Sequence, residues 1–107
     1  MSANTPAFSL TISPDVIRTV VRNTVLAMPG VRSFADPRSG RANHRGIHLI
    51  VNEKERSVKL ALHVIAARDA ALLELGRHIQ EAVREAIEEI LGLQVSQVDI
   101  HFEDVTP

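Results

Sequence analysis

The sequence predicts an α+β fold: a two-layer sandwich with two helices packed on one face of a mainly antiparallel sheet, in a ferredoxin-like or related split βαβ plan. Three observations lead there. From Asp69 to Gly92, the apolar residues Leu72, Leu75, Ile79, Val83, Ala86, Ile87 and Ile90 recur at three- and four-residue steps, the spacing of one helix face. A shorter stretch repeats that period with Val16, Ile17, Val20, Val21, Thr24, Val25 and Met28. Elsewhere apolar residues alternate with polar ones, as in half-buried strands. Elements with one apolar face each bury those faces together when both helices stack on the same side of the sheet. The other sheet face is then left to solvent or to a partner.

The elements follow in order. Residues 1–7 form a polar leader expected to be disordered, and residues 8–105 are expected to form a single domain. Phe8-Ser9-Leu10-Thr11-Ile12 alternates with the period of a strand. Ser13-Pro14-Asp15 then announces a helix: Ser13 as N-cap, Pro14 with φ preset in the first turn, and Asp15 against the positive end of the helix dipole. The β-branched residues that follow are weak helix formers, so this helix depends on packing. Pro29-Gly30 ends it. Val31-Arg32-Ser33-Phe34 reads as a short edge strand, followed by an eleven-residue loop from Ala35 to Arg45.

Ile47, Leu49 and Val51 alternate with His48, Ile50 and Asn52, and Val58, Leu60, Leu62 and Val64 alternate with Lys59, Ala61, His63 and Ile65. Joined by the polar connector Asn52–Ser57, the two runs predict an antiparallel hairpin. The long helix comes next, about 35 Å in length at 1.5 Å per residue, with Gly92 placed to end it in a left-handed conformation. Val95, Val98, Ile100 and Phe102 give the last strand. Their spacing slips by one near Ser96-Gln97, which predicts a bulge.

A chain of 107 residues without cysteine makes one domain able to bury about two thirds of its unfolded surface. Disulfides, zinc-thiolate sites and thiol catalysis are excluded. No apolar run reaches the ~18 residues of a membrane span, so direct membrane insertion is not expected. Three Phe with neither Tyr nor Trp leave few platforms for stacking bases, and no nucleic acid is expected as a partner. The net charge of −1 hides an asymmetry. Residues 1–50 hold six Arg against Asp15 and Asp36, net +4, whereas residues 51–107 hold six Lys or Arg against eleven acids, net −5.

Strand parity puts His48, His63 and His101 on the open sheet face, with Lys59, Asp99 and Glu103. Imidazoles and carboxylates on adjacent strands are the ingredients of a metal or acid-base site, but they lack a diagnostic spacing. The plainer expectation is that they are water-facing strand residues, with no catalytic group, metal or cofactor. The loop bearing Arg38, Arg41, His44 and Arg45 has the charge to grip phosphates or an acidic protein surface, without a P-loop, a dinucleotide fingerprint or the Gly-x-x-Gly clamp of RNA binders. The outer face of the long helix is charged, and its last turns, with Glu85, Glu88 and Glu89, form an acidic strip. An apolar patch around Ile50 and Ile65 on the open face is the expected source of affinity for a partner.

Several of these residues, in order, resemble the alkaline shock protein family of envelope stress response proteins from Gram-positive bacteria. They are Ile12-Ser13 with Val16-Ile17, Pro29-Gly30-Val31, Gly46-Ile47, Gln80-x-x-Val83, Ile90-Leu91-Gly92-Leu93 and Val95-x-x-Val98-Asp99-Ile100. The chain departs from the family at Ala66-Ala67-Arg68, where a Tyr-Gly is common. The resemblance implies a cytoplasmic, non-enzymatic protein that self-associates as a homo-oligomer. It also implies that some members lie under the membrane by binding a membrane-anchored relative. The expected function is thus an interaction and self-association module of envelope or general stress response. The other reading is a small-molecule or metal-binding regulatory domain that uses the open sheet face.

Overall fold

The computed structural model describes residues 11–35 and 46–106. The elements are α1 (Pro14–Leu26), β1 (Val31–Phe34), β2 (Ile47–Asn52), β3 (Ser57–Ala67), α2 (Leu72–Ala86, continued by a π-helical turn over Ile87–Leu91) and β4 (Gln94–Thr106). The leader expected over residues 1–7, and Phe8, Ser9 and Leu10 of the expected first strand, lie outside the described residues. Thr11 and Ile12 are described and belong to no strand.

Helix α1 starts as its sequence dictates. The Ser13 hydroxyl accepts from the Asp15 amide at 3.2 Å, and Pro14 occupies the first turn. Thr19 and Thr24 donate their hydroxyls to the Asp15 and Val20 carbonyls, so these weak helix formers stay satisfied inside the helix. Ile17, Val21 and Val25 are buried, while Val16 at the start of the expected stripe is exposed. After the helix Gly30 takes a φ of 95°, a conformation that glycine adopts without steric cost.

The sheet is built around β3. Strand β4 runs parallel to it along its whole length. The opposite edge is therefore shared by two antiparallel strands set end to end, with β2 pairing Ser57–Leu62 and β1 pairing Val64–Ala66. Together with α2, β3 and β4 form a βαβ unit whose two strands lie side by side. The first register shift between β3 and β4 leaves Ser96 without a partner, at the site where the apolar spacing slips. The second leaves Glu103 unpartnered, between Val64↔Phe102 and Ile65↔Asp104.

Both helices cover the same face. Val58, Leu60, Leu62, Val64 and Ala66 of β3 meet Ile17, Val21 and Val25 of α1 and Leu75, Ile79 and Val83 of α2 in one buried cluster. Helix α2 begins at Leu72, the first residue of the apolar period and three residues after Asp69, where the expected stretch opens, and its final turn widens. A π turn adds about one residue per turn, so Ile87 and the half-buried Leu91 follow the core, and Ile90 is turned outward with 67% of its surface exposed. Gly92 closes the helix at φ 67°, its amide donating to the Glu88 carbonyl, as the sequence predicts.

Candidate functional site

With both helices on one side, the opposite sheet face has no covering layer among the described residues. Along β3 it presents Lys59, Ala61, His63 and Ile65, and β2 and β4 add His48, Ile50, Asp99, His101 and Glu103. The structure brings the three histidines together in a row across three strands. Their partners in the ladder are His48 to Ala61 and His63 to His101. The His48 and His63 rings meet edge to face, with centroids 5.2 Å apart, and His63 and His101 lie near-parallel at 4.8 Å. His63 Nδ1 lies 3.0 Å from Glu103 Oε1. Asp99 is engaged by its own strand, accepting from Gln97 Nε2 at 2.7 Å.

The expected apolar patch is not there as one surface. Ile50 stands opposite Lys59 and is 70% exposed, whereas Ile65, half-buried, stands between Ser33 and Asp104. Six residues of β3 separate the two positions, roughly 20 Å of strand, and the histidine row lies between them. Period-two parity alone told that both share a face, and the distance along the strand keeps them apart.

Glu85, Glu88 and Glu89 are exposed at the end of α2, where the sequence places the acidic strip. Arg38, Arg41, His44 and Arg45 lie outside the described residues.

A second surface went unread in the sequence. Between the first turns of α2 and β4 runs an open groove of about 460 Å³, lined by Leu72, Leu73, Gly76, Arg77, Gln80, Ile100 and Phe102. Leu73 is 71% exposed. Gln80 closes one end, donating from Nε2 to the Val98 carbonyl at 2.9 Å. The signal was present: Leu73 is an apolar residue on the charged side of a helix, one position off the stripe of Leu72 and Leu75. Its neighbours on β4 become visible only with the fold.

Among the described residues no helix is long and apolar enough to cross a membrane. No group of three or more His, Asp or Glu side chains among them is placed to hold a metal ion.

No curated protein matches the chain in sequence. Two solved structures that it is similar to are forms of the MamM CTD. A zinc form superposes with a TM-score of 0.52 at 14% identity, covering 87% of this chain and 87% of that one. A cadmium form gives 0.48 at 16% identity, covering 84% and 94%. The likeness to the zinc form, at 14% identity, is one of fold, and it matches the two-layer plan of helices on an open sheet. The family is shown by sequence: a match to the alkaline shock protein 23 family extends over residues 2–107, and the chain belongs to this family, whose function is cell envelope-related.

Proposed function

We propose that the domain serves the cell envelope as a non-enzymatic module that self-associates and binds protein partners, a membrane-anchored relative among them, from the cytoplasmic side. Its family has a cell envelope-related function, and attachment through a partner would bring the domain to the envelope. The observation that carries the reading is the groove between α2 and β4. Leu72, Leu73, Ile100 and Phe102 line it together with Arg77 and Gln80, and the exposed Glu74 and Glu81 flank Arg77 along the helix. An apolar centre inside a charged rim is the composition of a protein interface. The occupant we assign is a second copy of the chain.

Sedimentation velocity tests this with Leu73→Glu, a change at an exposed position that leaves the buried stripe intact. The wild type is expected to show a concentration-dependent oligomer and the variant a shift toward monomer, with an unchanged circular dichroism spectrum. A wild type that stays monomeric at every concentration would end the self-association reading. An oligomer indifferent to Leu73→Glu would remove the groove from it.

A further inference from the structure

The groove lies along a sheet edge that no element covers among the described residues. Helix α1 packs over β1 and β2, and α2 over β4. No residue of α1 or β3 lines the groove, so it opens on the side of β4 that faces away from β3. Strand β4 pairs with β3 alone among the described residues, and its other edge offers backbone amides and carbonyls for another strand to meet. Between the two register shifts the stretch Gln97–Phe102 is regular, in step with Lys59–Val64 of β3. The backbone edge and the groove above it thus form one surface, and a strand added to the first brings its own chain over the second.

Gly76 points the same way. It sits within α2, where glycine is the poorest helix former after proline. A Cβ there would meet only the Phe102 ring, at 3.6 and 3.9 Å, which are ordinary contact distances. The fold itself has room for a side chain, and what a bare backbone admits is the close approach of a second body.

We propose that a second copy docks here by pairing its β4 antiparallel to this one about a twofold axis beside Ile100. Two sheets then become one, and the two α2 helices lie side by side above the seam. This rests on the self-association reading and names the geometry in which the groove is filled. On α2, Gly76 lies over Phe102 and Gln80 reaches the Val98 carbonyl, so Ile100 marks the middle of the groove. A twofold perpendicular to the sheet makes equivalent edge strands antiparallel and keeps every side chain on its own face. Charge then selects the register. An axis at Asp99 sets that carboxylate against its own copy, and an axis at His101 sets Asp99 against Glu103; like charges directly opposite are unfavourable. The axis at Ile100 sets Asp99 against His101 of the second copy, twice by symmetry, with Ile100 against Ile100 and Val98 against Phe102 on the helix face. It also sets Gly76 of one α2 against Gln80 of the other, and Arg77 roughly 3 Å along the helix axis from Glu81 of the other.

The chain has no cysteine, so introduced thiols report the pairing. Opposed residues of an antiparallel pair have Cα atoms about 4.5–5.5 Å apart, within disulfide range, whereas diagonal neighbours stand about 7–8 Å apart, outside it. Under mild oxidation Ile100→Cys alone is expected to give a covalent dimer as the main product. Asp99→Cys and His101→Cys, both at exposed positions, should stay largely unlinked alone and link when mixed. Lys59→Cys, on the interior strand β3, should not link. Gly76→Leu, which fills the groove from the helix, should shift the oligomer toward monomer in sedimentation velocity with an unchanged circular dichroism spectrum. An oligomer that Leu73→Glu dissociates but that gives none of these links overturns this pairing and leaves the groove reading standing. A wild type that is monomeric at every concentration overturns both. Linking by Asp99→Cys or His101→Cys alone overturns the register, and an oligomer unchanged in Gly76→Leu overturns the approach of the helices.

Discussion

Gly46 occupies the point where two strands meet end to end along one edge of β3. The Ala35 amide donates to the His63 carbonyl at 2.8 Å, ending the β1 pairing, and Ile47 opens β2 opposite Leu62. A Cβ on Gly46 would come within 2.6 Å of the Ala35 carbonyl oxygen and 3.0 Å of the His63 carbonyl oxygen. Both are backbone atoms, and the His63 carbonyl belongs to β3 and already accepts from the Ala35 amide, so neither can step aside as the tip of a side chain would. Gly46→Ala is expected to cost about 1–3 kcal/mol through overpacking, read as a lowered urea midpoint with an unchanged slope. A loss within about 0.5 kcal/mol, the range of ordinary surface changes, would mean that the strand junction yields easily. The pair Gly46-Ile47 is among the residues by which the sequence resembles the family, and this contact gives that glycine a steric reason.

At the level of elements, the end of α2 separates what local sequence tells from what it does not. Gly92 was legible because a helix of this length needs a terminator and glycine takes a positive φ without strain. Nothing lies within 4 Å of a Cβ built there, so Gly92→Ala meets only the backbone cost of a left-handed residue. That cost is about 1–2 kcal/mol, and thermal unfolding of the variant measures it. A change near zero would show the last turn rearranging to release the strain. The capped start of α1, the buried Leu75, Ile79 and Val83, and the bulge at Ser96 were legible for the same reason, since each is set by neighbours close in sequence. The outward turn of Ile90 was not, because a strict helical period assumes an α turn where the chain widens to a π turn. Nor were the sharing of one β3 edge by β1 and β2, or the pairing of Glu103 with His63 across 40 residues of sequence, which depend on non-local register. For the candidate sites, parity brought the three histidines to one face but could not show their rings in contact.

For the whole molecule, the uneven charge bears on the self-association we propose. The first fifty residues carry +4 and the remainder −5, and Glu85, Glu88 and Glu89 are exposed together at the end of α2. A contact between Arg38, Arg41 and Arg45 of one copy and this acidic strip of the next joins two different patches. It therefore propagates as a ring or a filament unless its geometry closes. Exposed ion pairs contribute only about 0–1 kcal/mol each and are screened over roughly 8 Å at physiological salt, so they align subunits more than they hold them. In the self-association we propose, the apolar share falls to the α2–β4 groove, since Ile50 and Ile65 stand too far apart to act as one patch. We predict that reversing Arg38, Arg41 and Arg45 to Glu weakens assembly at low salt, and that reversing Glu85, Glu88 and Glu89 to Lys in the same chain partly restores it. Sedimentation velocity at low and high salt follows both changes. Rescue by the double set is the outcome expected where the two patches meet in one contact. An oligomer indifferent to the swaps and to salt would assign assembly to the groove without electrostatic guidance.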